Sequence, residues 1–259
     1  MYSDNTNSLI NNEFSNINYG RVLLLNKFEE LVKNINLDKK LRVAVIGGTH
    51  EEPEVILLKK MGYFVETHTF GIEDYDDHYL DLNLNNNEFP DKNFDLVICA
   101  QVLEHIWNIE CFTDNISKVM TKDTYAFIHC PKSNIHHGHT FYSAGYSKDF
   151  LKEIFKNHTE IIDLGELGTP RLYTSIHLLK HWINTEEAQT GKINYQTWFS
   201  YLWNLKNKKP NIKNILKNII FTFNFRRLII NLLLKGLDNN LSDDKLVKTE
   251  SFIFIKKQY

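Results

Sequence analysis

Four groups of residues in this chain have the types and spacing to do chemistry. Gln101, Glu104 and His105 stand just past the apolar run Leu96-Val97-Ile98-Cys99. His136, His137 and His139 crowd a polar stretch from Ser133 to Gly145. Glu73, Asp74 and Asp81 lie in an acidic segment, and Gly47-Gly48-Thr49 follows the run Leu41 to Ile46. In open α/β sheets ligands bind just beyond the carboxyl ends of strands, so polar groups there are candidates for cofactor or substrate contacts. Paired glycines permit a tight turn and close backbone approach. A carboxylate at such an end can accept hydrogen bonds from ribose hydroxyls. Histidine exchanges protons most readily near neutral pH. The His-x-His spacing can bind zinc, but no nearby Cys or acid cluster completes a tetrahedral set, so no metal site is expected.

These groups need a scaffold, and the pattern supplies one. Val22 to Ile35 follows helical spacing. Leu41–Ile46 reads as a first strand. Thr49 and Glu52 fit a capping box that opens a helix running to about Lys60, with Gly62 as its stop. Tyr63–Ile72 reads as a second strand, Tyr79–Leu82 as a short third and Phe94–Ala100 as a fourth. A helix over Ile109–Met120, a strand over Tyr125–Cys130, a helix capped by Ser147 and a strand over Glu160–Leu164 follow. Alternating strands and helices imply βαβ units and a parallel sheet. Arg171 to about Val247 is helical and aromatic in character, and Phe252–Ile255 returns as a last, edge strand. The expected organisation is an N-terminal arm and helix over 1–40, a core over 41–170, a helical insertion or cap over 171–247, and 248–259 rejoining the sheet.

Composition narrows the classes. Hydrophobic content of 42% and charged content of 24% are ordinary for a globular domain of 259 residues. A net charge of -2 gives no case for nucleic acid. Glu73 to Asp95 carries eight acids and one base, whereas Lys206 to Lys235 carries eight bases and no acid, which suggests two surfaces with different partners. Cys99, Cys111 and Cys130 lack paired spacing and read as small buried residues in a reducing compartment, so a cytoplasmic protein is expected. No signal peptide or ordinary transmembrane span is expected. Ile212, Ile215, Leu216, Ile219, Ile220 and Phe223 form one apolar face. Flanked by Lys213 and Lys217, that face reads as a cap helix on its own domain. A peripheral membrane contact through 212–237 is the alternative.

Phe94-Asp95-Leu96-Val97, running into Val102-Leu103-Glu104-His105, resembles the fourth strand and following loop of class I S-adenosylmethionine (SAM)-dependent methyltransferases. Residues 41–164 are similar to that family's core in strand order and in the placement of acids. Thr49 and Glu51 occupy sites where the family commonly has glycine. The resemblance implies an α/β, Rossmann-like, mostly parallel sheet with flanking helices and a helical insertion before the last strand. It also implies SAM as cofactor. Gly47, Gly48, Thr49, Glu73, Asp81, Gln101 and Glu104 are then the cofactor-binding candidates. Glu73 takes the ribose, with Asp74 the alternative and Thr69 a third by another count. Asp81, or Asn83, takes the adenine amino group, and His105 supports the loop. Glu51, Glu52 and Glu54 crowd the start of the first core helix, where anions are favoured. Such a site repels pyrophosphate and suits the sulfonium of SAM.

Cys130-Pro131-Lys132-Ser133-Asn134, with the later His-Gly-His and Phe141-Tyr142-Ser143, looks like methyltransferases encoded with surface-polysaccharide genes. The resulting expectation is an O-methyltransferase acting on a sugar hydroxyl of a bacterial glycan or its precursor, in polysaccharide biosynthesis. His139 is the first candidate for the base and His137 the second. Tyr142 and Tyr146 are candidates to line the pocket. A lipid or small-molecule acceptor is one alternative reading. A non-catalytic binding or scaffold protein on the SAM fold is another.

Overall fold

The computed structural model describes residues 19–85, 89, 93–132, 141–157, 159–168 and 248–257. The N-terminal arm, the histidine loop 133–140 and the expected insertion with its 212–237 stretch lie outside them.

Long apolar runs form strands here because both faces of the sheet are covered. The strands are β1 Lys40–Ile46, β2 Phe64–Gly71, β3 His78–Tyr79, β4 Leu96–Ala100, β5 Tyr125–Pro131, β6 Thr159–Leu167 and β7 Glu250–Lys257. They make one seven-stranded sheet in the order β3-β2-β1-β4-β5-β7-β6. The β2, β1, β4 and β5 pairings are parallel, while β7 runs antiparallel to both β5 and β6. The switch point lies between β1 and β4, where the order reverses, so the ligand crevice is expected over their carboxyl ends.

Among the described residues four α-helices flank the sheet: α1 Tyr19–Asn34, α2 Pro53–Lys60, α3 Ile109–Val119 and α4 Lys148–Phe155. Strand alternation divides the core between them. Val43, Val45, Leu96, Ile98, Phe127 and Phe254 face Leu24, Phe28, Val55 and Leu58 of α1 and α2. Ala44, Ile46, Val97, Cys99, Ile128 and Ile253 face Phe112, Ile116, Leu151 and Phe155 of α3 and α4. Phe28 meets Phe127 at 4.9 Å between ring centroids. Burying a side chain of this size contributes about 1.5–3 kcal/mol.

Three expectations are corrected. The last strand is not at the edge. β7 lies between β5 and β6, and β6 is the edge strand. The capping box does not form, because Pro53 takes the first helical position and Glu52 becomes the residue before it. Half of the box survives, since the Thr49 amide donates to Glu52 Oε1 at 3.2 Å. The third strand is only His78–Tyr79, and the expected Leu80 and Leu82 are buried outside it. Ser147 does cap α4, its hydroxyl accepting from the Phe150 amide at 3.3 Å.

Candidate functional site

The turn after β1 starts the site. Gly47 stands at φ +68, and a Cβ there would lie 2.7 Å from Val102 Cγ2. Glycine is therefore required twice, by backbone conformation and by the approach of the loop after β4. The Gly47 amide donates to Phe70 O at 2.7 Å, which locks this turn to the end of β2. Gly48 packs on Glu52, and Thr49 is exposed beside them.

Glu73 and Asp74 are exposed in the loop after β2. Asp76 folds that loop, its Oδ2 accepting from the Glu73 amide at 3.1 Å. Thr69 and Asp77 exchange two hydrogen bonds of 2.9 Å, and His50 reaches Asp77 at 3.3 Å. Thr69 is thus buried and engaged in the fold, whereas Glu73 and Asp74 are exposed. Asp81 accepts from the Asn83 amide at 2.9 Å in a local turn. Asn83 accepts from the Trp107 and Asn108 amides at 2.9 and 3.2 Å, so it clamps this turn to the start of α3. Asp81 and Asn83 are thus both engaged in this turn.

Past β4, Gln101 adopts φ 57, an uncommon conformation for a residue with a Cβ. Its side-chain nitrogen contacts His129 Nδ1 at 3.1 Å and Glu250 Oε2 at 3.0 Å. Glu104 is fully buried, and its carbonyl accepts from the Tyr142 and Ser143 amides at 2.9 and 3.2 Å. His105 meets the Phe141 ring at 6.1 Å. The last foot of the histidine loop is therefore pinned to the loop after β4. The other foot is pinned too, since Lys132 donates to Thr249 O at 2.8 Å and Tyr146 to Pro131 O at 2.9 Å. His137 and His139 themselves lie outside the described residues. Tyr146 stacks on Phe150 at 4.5 Å, whereas Tyr142 and Trp107 are 55% and 58% exposed beside the rim.

Beneath the rim lies a polar network that sequence reading missed. Arg21 of α1 binds both Glu52 and Glu54, the latter at 2.8 Å. Glu54 Oε1 meets His129 Nε2 at 3.1 Å, with both side chains fully buried. Burial works to raise the Glu54 carboxyl, but the Arg21 charge and the His129 hydrogen bond outweigh it and hold it well below the usual carboxylate range. Burial lowers the His129 imidazole more than Glu54 raises it, which favours the neutral ring at neutral pH. Burial pushes the Cys99 and Cys130 thiols up, which keeps both unreactive.

This network changes the argument about the cofactor. Only Glu54 lies in the first turn of α2, and Arg21 compensates both it and Glu52. Acids at the helix start are therefore not what turns phosphate away. The rim as a whole does so: segments 47–52, 72–84 and 101–107 contain no Lys or Arg, while Glu73 and Asp74 are exposed on it and Asp81 is half-buried. A pyrophosphate finds no charge partner among them. Carboxylates can accept hydrogen bonds from a ribose diol or an adenine amino group and offer opposite charge to a sulfonium, so these acceptors fit SAM.

Residues 66–128, from within β2 into β5, match a family model described as a methyltransferase domain. No curated protein matches the chain. A SAM-dependent methyltransferase from Aquifex aeolicus is 15% identical, with 54% of this chain and 84% of that one covered and a TM-score of 0.40. Coclaurine N-methyltransferase bound to N-methylheliamine and S-adenosylhomocysteine (SAH) is 14% identical, over 91% and 70%, at 0.47. Phosphoethanolamine N-methyltransferase 2 from Haemonchus contortus, with SAM, is 12% identical, over 99% and 60%, at 0.47. One segment of this mostly parallel sheet is thus similar to a methyltransferase domain, and the fold is of the Rossmann-like kind.

Proposed function

We propose that this chain is a SAM-dependent methyltransferase and that it methylates a sugar hydroxyl of a bacterial glycan or of its precursor. The observation that carries the proposal is the rim over β4 and β5. Trp107 and Tyr142 expose their rings there, 58% and 55% accessible, beside the anchored feet of a loop containing three histidines. Exposed aromatic faces at a polar rim suit the apolar faces and hydroxyl edges of sugars.

When bound, SAM supplies an electrophilic methyl group on its sulfonium. Glu73 would hold the ribose hydroxyls and Asp81 the adenine amino group. The Gly47–Gly48 turn lets backbone approach the cofactor closely. Methyl transfer to oxygen is an in-line displacement, so the chain must align the acceptor oxygen with the methyl group. His139, or else His137, takes the hydroxyl proton. The clamps at Glu104, Thr249 and Pro131 fix where that loop leaves and rejoins the core. Three free, buried cysteines fit a reducing, cytoplasmic setting.

Titration calorimetry with SAM and SAH, followed by methyl transfer from labelled SAM to a panel of nucleotide-activated sugars, tests this reading. Binding with transfer to a sugar oxygen is expected. No binding by either ligand overturns the cofactor assignment. Binding with transfer only to lipids or small aromatic molecules overturns the glycan assignment.

A further inference from the structure

One hydrogen-bonded chain joins five elements under the site. It runs from Arg21 of α1 to Glu54 of α2 at 2.8 Å, and on to His129 of β5 at 3.1 Å. It continues to Gln101 after β4 at 3.1 Å and reaches Glu250 of β7 at 3.0 Å. Counting hydrogens fixes its direction. The Glu54 carboxylate accepts only, so His129 Nε2 carries the imidazole proton and Nδ1 is left as an acceptor. The Gln101 amide nitrogen has two hydrogens, and His129 Nδ1 and Glu250 Oε2 take them. Exchanging the amide nitrogen and oxygen would set oxygen against a carboxylate and a ring lone pair, so the amide has one admissible orientation. Its carbonyl oxygen is then the end turned away from the network.

The location gives that orientation a use. Gln101 holds φ 57, and its neighbour Val102 packs against Gly47 of the cofactor turn. A residue kept in a sparsely populated conformation needs surroundings that over-determine it, and such residues cluster at functional sites. Strand alternation explains why His129 is the residue that does this. It shares a face with Phe127 and so points toward α2, where Glu54 waits, while its backbone carbonyl accepts from the Gln101 amide at 2.9 Å.

We propose that His129 is a positioning residue, which holds the Gln101 amide so that its carbonyl oxygen accepts from an N–H or cationic group of the bound cofactor. This rests on the SAM reading. Glu54 and Arg21 serve it at one remove, by fixing the tautomer of the imidazole.

Two substitutions divide the two bonds of the ring. In His129→Asn the side-chain oxygen stands near the place of Nδ1, which keeps the acceptor for Gln101 and loses Glu54. In His129→Gln the amide nitrogen stands near Nε2, which keeps the donor to Glu54 and loses the acceptor for Gln101. SAH affinity and Tm are measured for wild type, both variants and Gln101→Ala. His129→Gln and Gln101→Ala are expected to lose affinity about tenfold, the loss of one positioned hydrogen bond. His129→Asn is expected to stay within about threefold of wild type. Combining His129→Gln with Gln101→Ala should bring no further loss. Unchanged affinity in Gln101→Ala, or losses that follow Tm across the two His129 variants, would overturn the proposal. Wild type that fails to bind SAH would instead overturn the cofactor reading, and this proposal with it.

Discussion

Arg21→Met tests the electrostatics of the site most directly. Methionine keeps much of the aliphatic bulk and removes the cation facing Glu52 and Glu54. The Arg21 side chain is 18% exposed and Glu54 0%, so this is a buried pair. Removing one partner of such a pair costs about 3–5 kcal/mol, because the other charge is stranded. His129 still donates to Glu54 Oε1, so the low end, about 3 kcal/mol, is expected at neutral pH. The pH dependence carries the sharper test. In wild type the folded-state pKa of Glu54 lies below its ordinary value of 4.5. Its contribution is then fully present above that value and is lost as pH falls toward the lowered one. Without the Arg21 charge the folded-state pKa of Glu54 rises, because burial is then opposed only by His129. The variant's folded state binds the Glu54 proton more tightly than the wild type's does, and acidification relieves the variant relative to wild type. His129 works in the same direction, since the Arg21 charge helps to hold its imidazole down. Freed of that charge, the ring takes a proton more readily and becomes a substitute cation for Glu54. The gap between wild type and variant should therefore narrow from about pH 7.5 to about pH 5.5. Urea unfolding at both pH values measures it, with equal m-values as the control. A cost below about 1 kcal/mol at pH 7.5 would show the pair to be of the solvated surface kind. A gap that widens on acidification would refute the assigned sign.

Gly47→Ala should destabilise by about 2–4 kcal/mol in urea unfolding, combining left-handed strain with the 2.7 Å approach of Val102. Glu73→Gln should weaken SAH binding about tenfold by calorimetry while shifting stability by less than about 0.5 kcal/mol, because Glu73 is exposed. Asn108→Ala should cost about 1–2 kcal/mol, since its side chain accepts from the Cys111 amide at 3.3 Å as the cap of α3. The same change removes its 3.2 Å bond to Asn83 O, so SAH affinity should fall with stability.

The strands were legible because a sheet covered on both faces writes them as near-continuous apolar runs. Ala44–Ile46, Leu96–Cys99 and Phe252–Ile255 are such runs, and all became strands. Their order was less legible. Nothing local to Phe252–Ile255 says that it pairs with Tyr125–Pro131 on one side and Thr159–Leu167 on the other. That choice depends on contacts more than eighty residues apart in sequence, and the edge position was the simplest guess. The start of α2 was misread for a local reason. Thr49 and Glu52 fit one rule, but Pro53 obeys another, and its fixed φ sets the first helical residue. Of the site, the glycine turn, the acids after β2 and β3 and the loop after β4 came from their positions at strand ends.

The buried network escaped because each member looked ordinary alone. Arg21 reads as a surface cation near a helix start, and Glu54 as one more acid at a helix N-terminus. One signal was available. His129 interrupts the run Ala126-Phe127-Ile128-His129-Cys130, and an imidazole inside a central strand must find hydrogen-bond partners. Period-two alternation puts it on the face of Phe127, so its partner had to come from the helices on that side. Glu54 is the acid that α2 offers there, and it needs a cation of its own, which α1 supplies. The N-terminal helix is thus bound into the site by charge, though it carries none of the cofactor candidates. Its removal would uncover apolar surface on β1, β4 and β5 and also strand Glu54. The histidine would then lose its fixed tautomer and Gln101 its orientation. On the proposed role of His129, SAH binding should accordingly depend on residues that precede the first strand of the sheet.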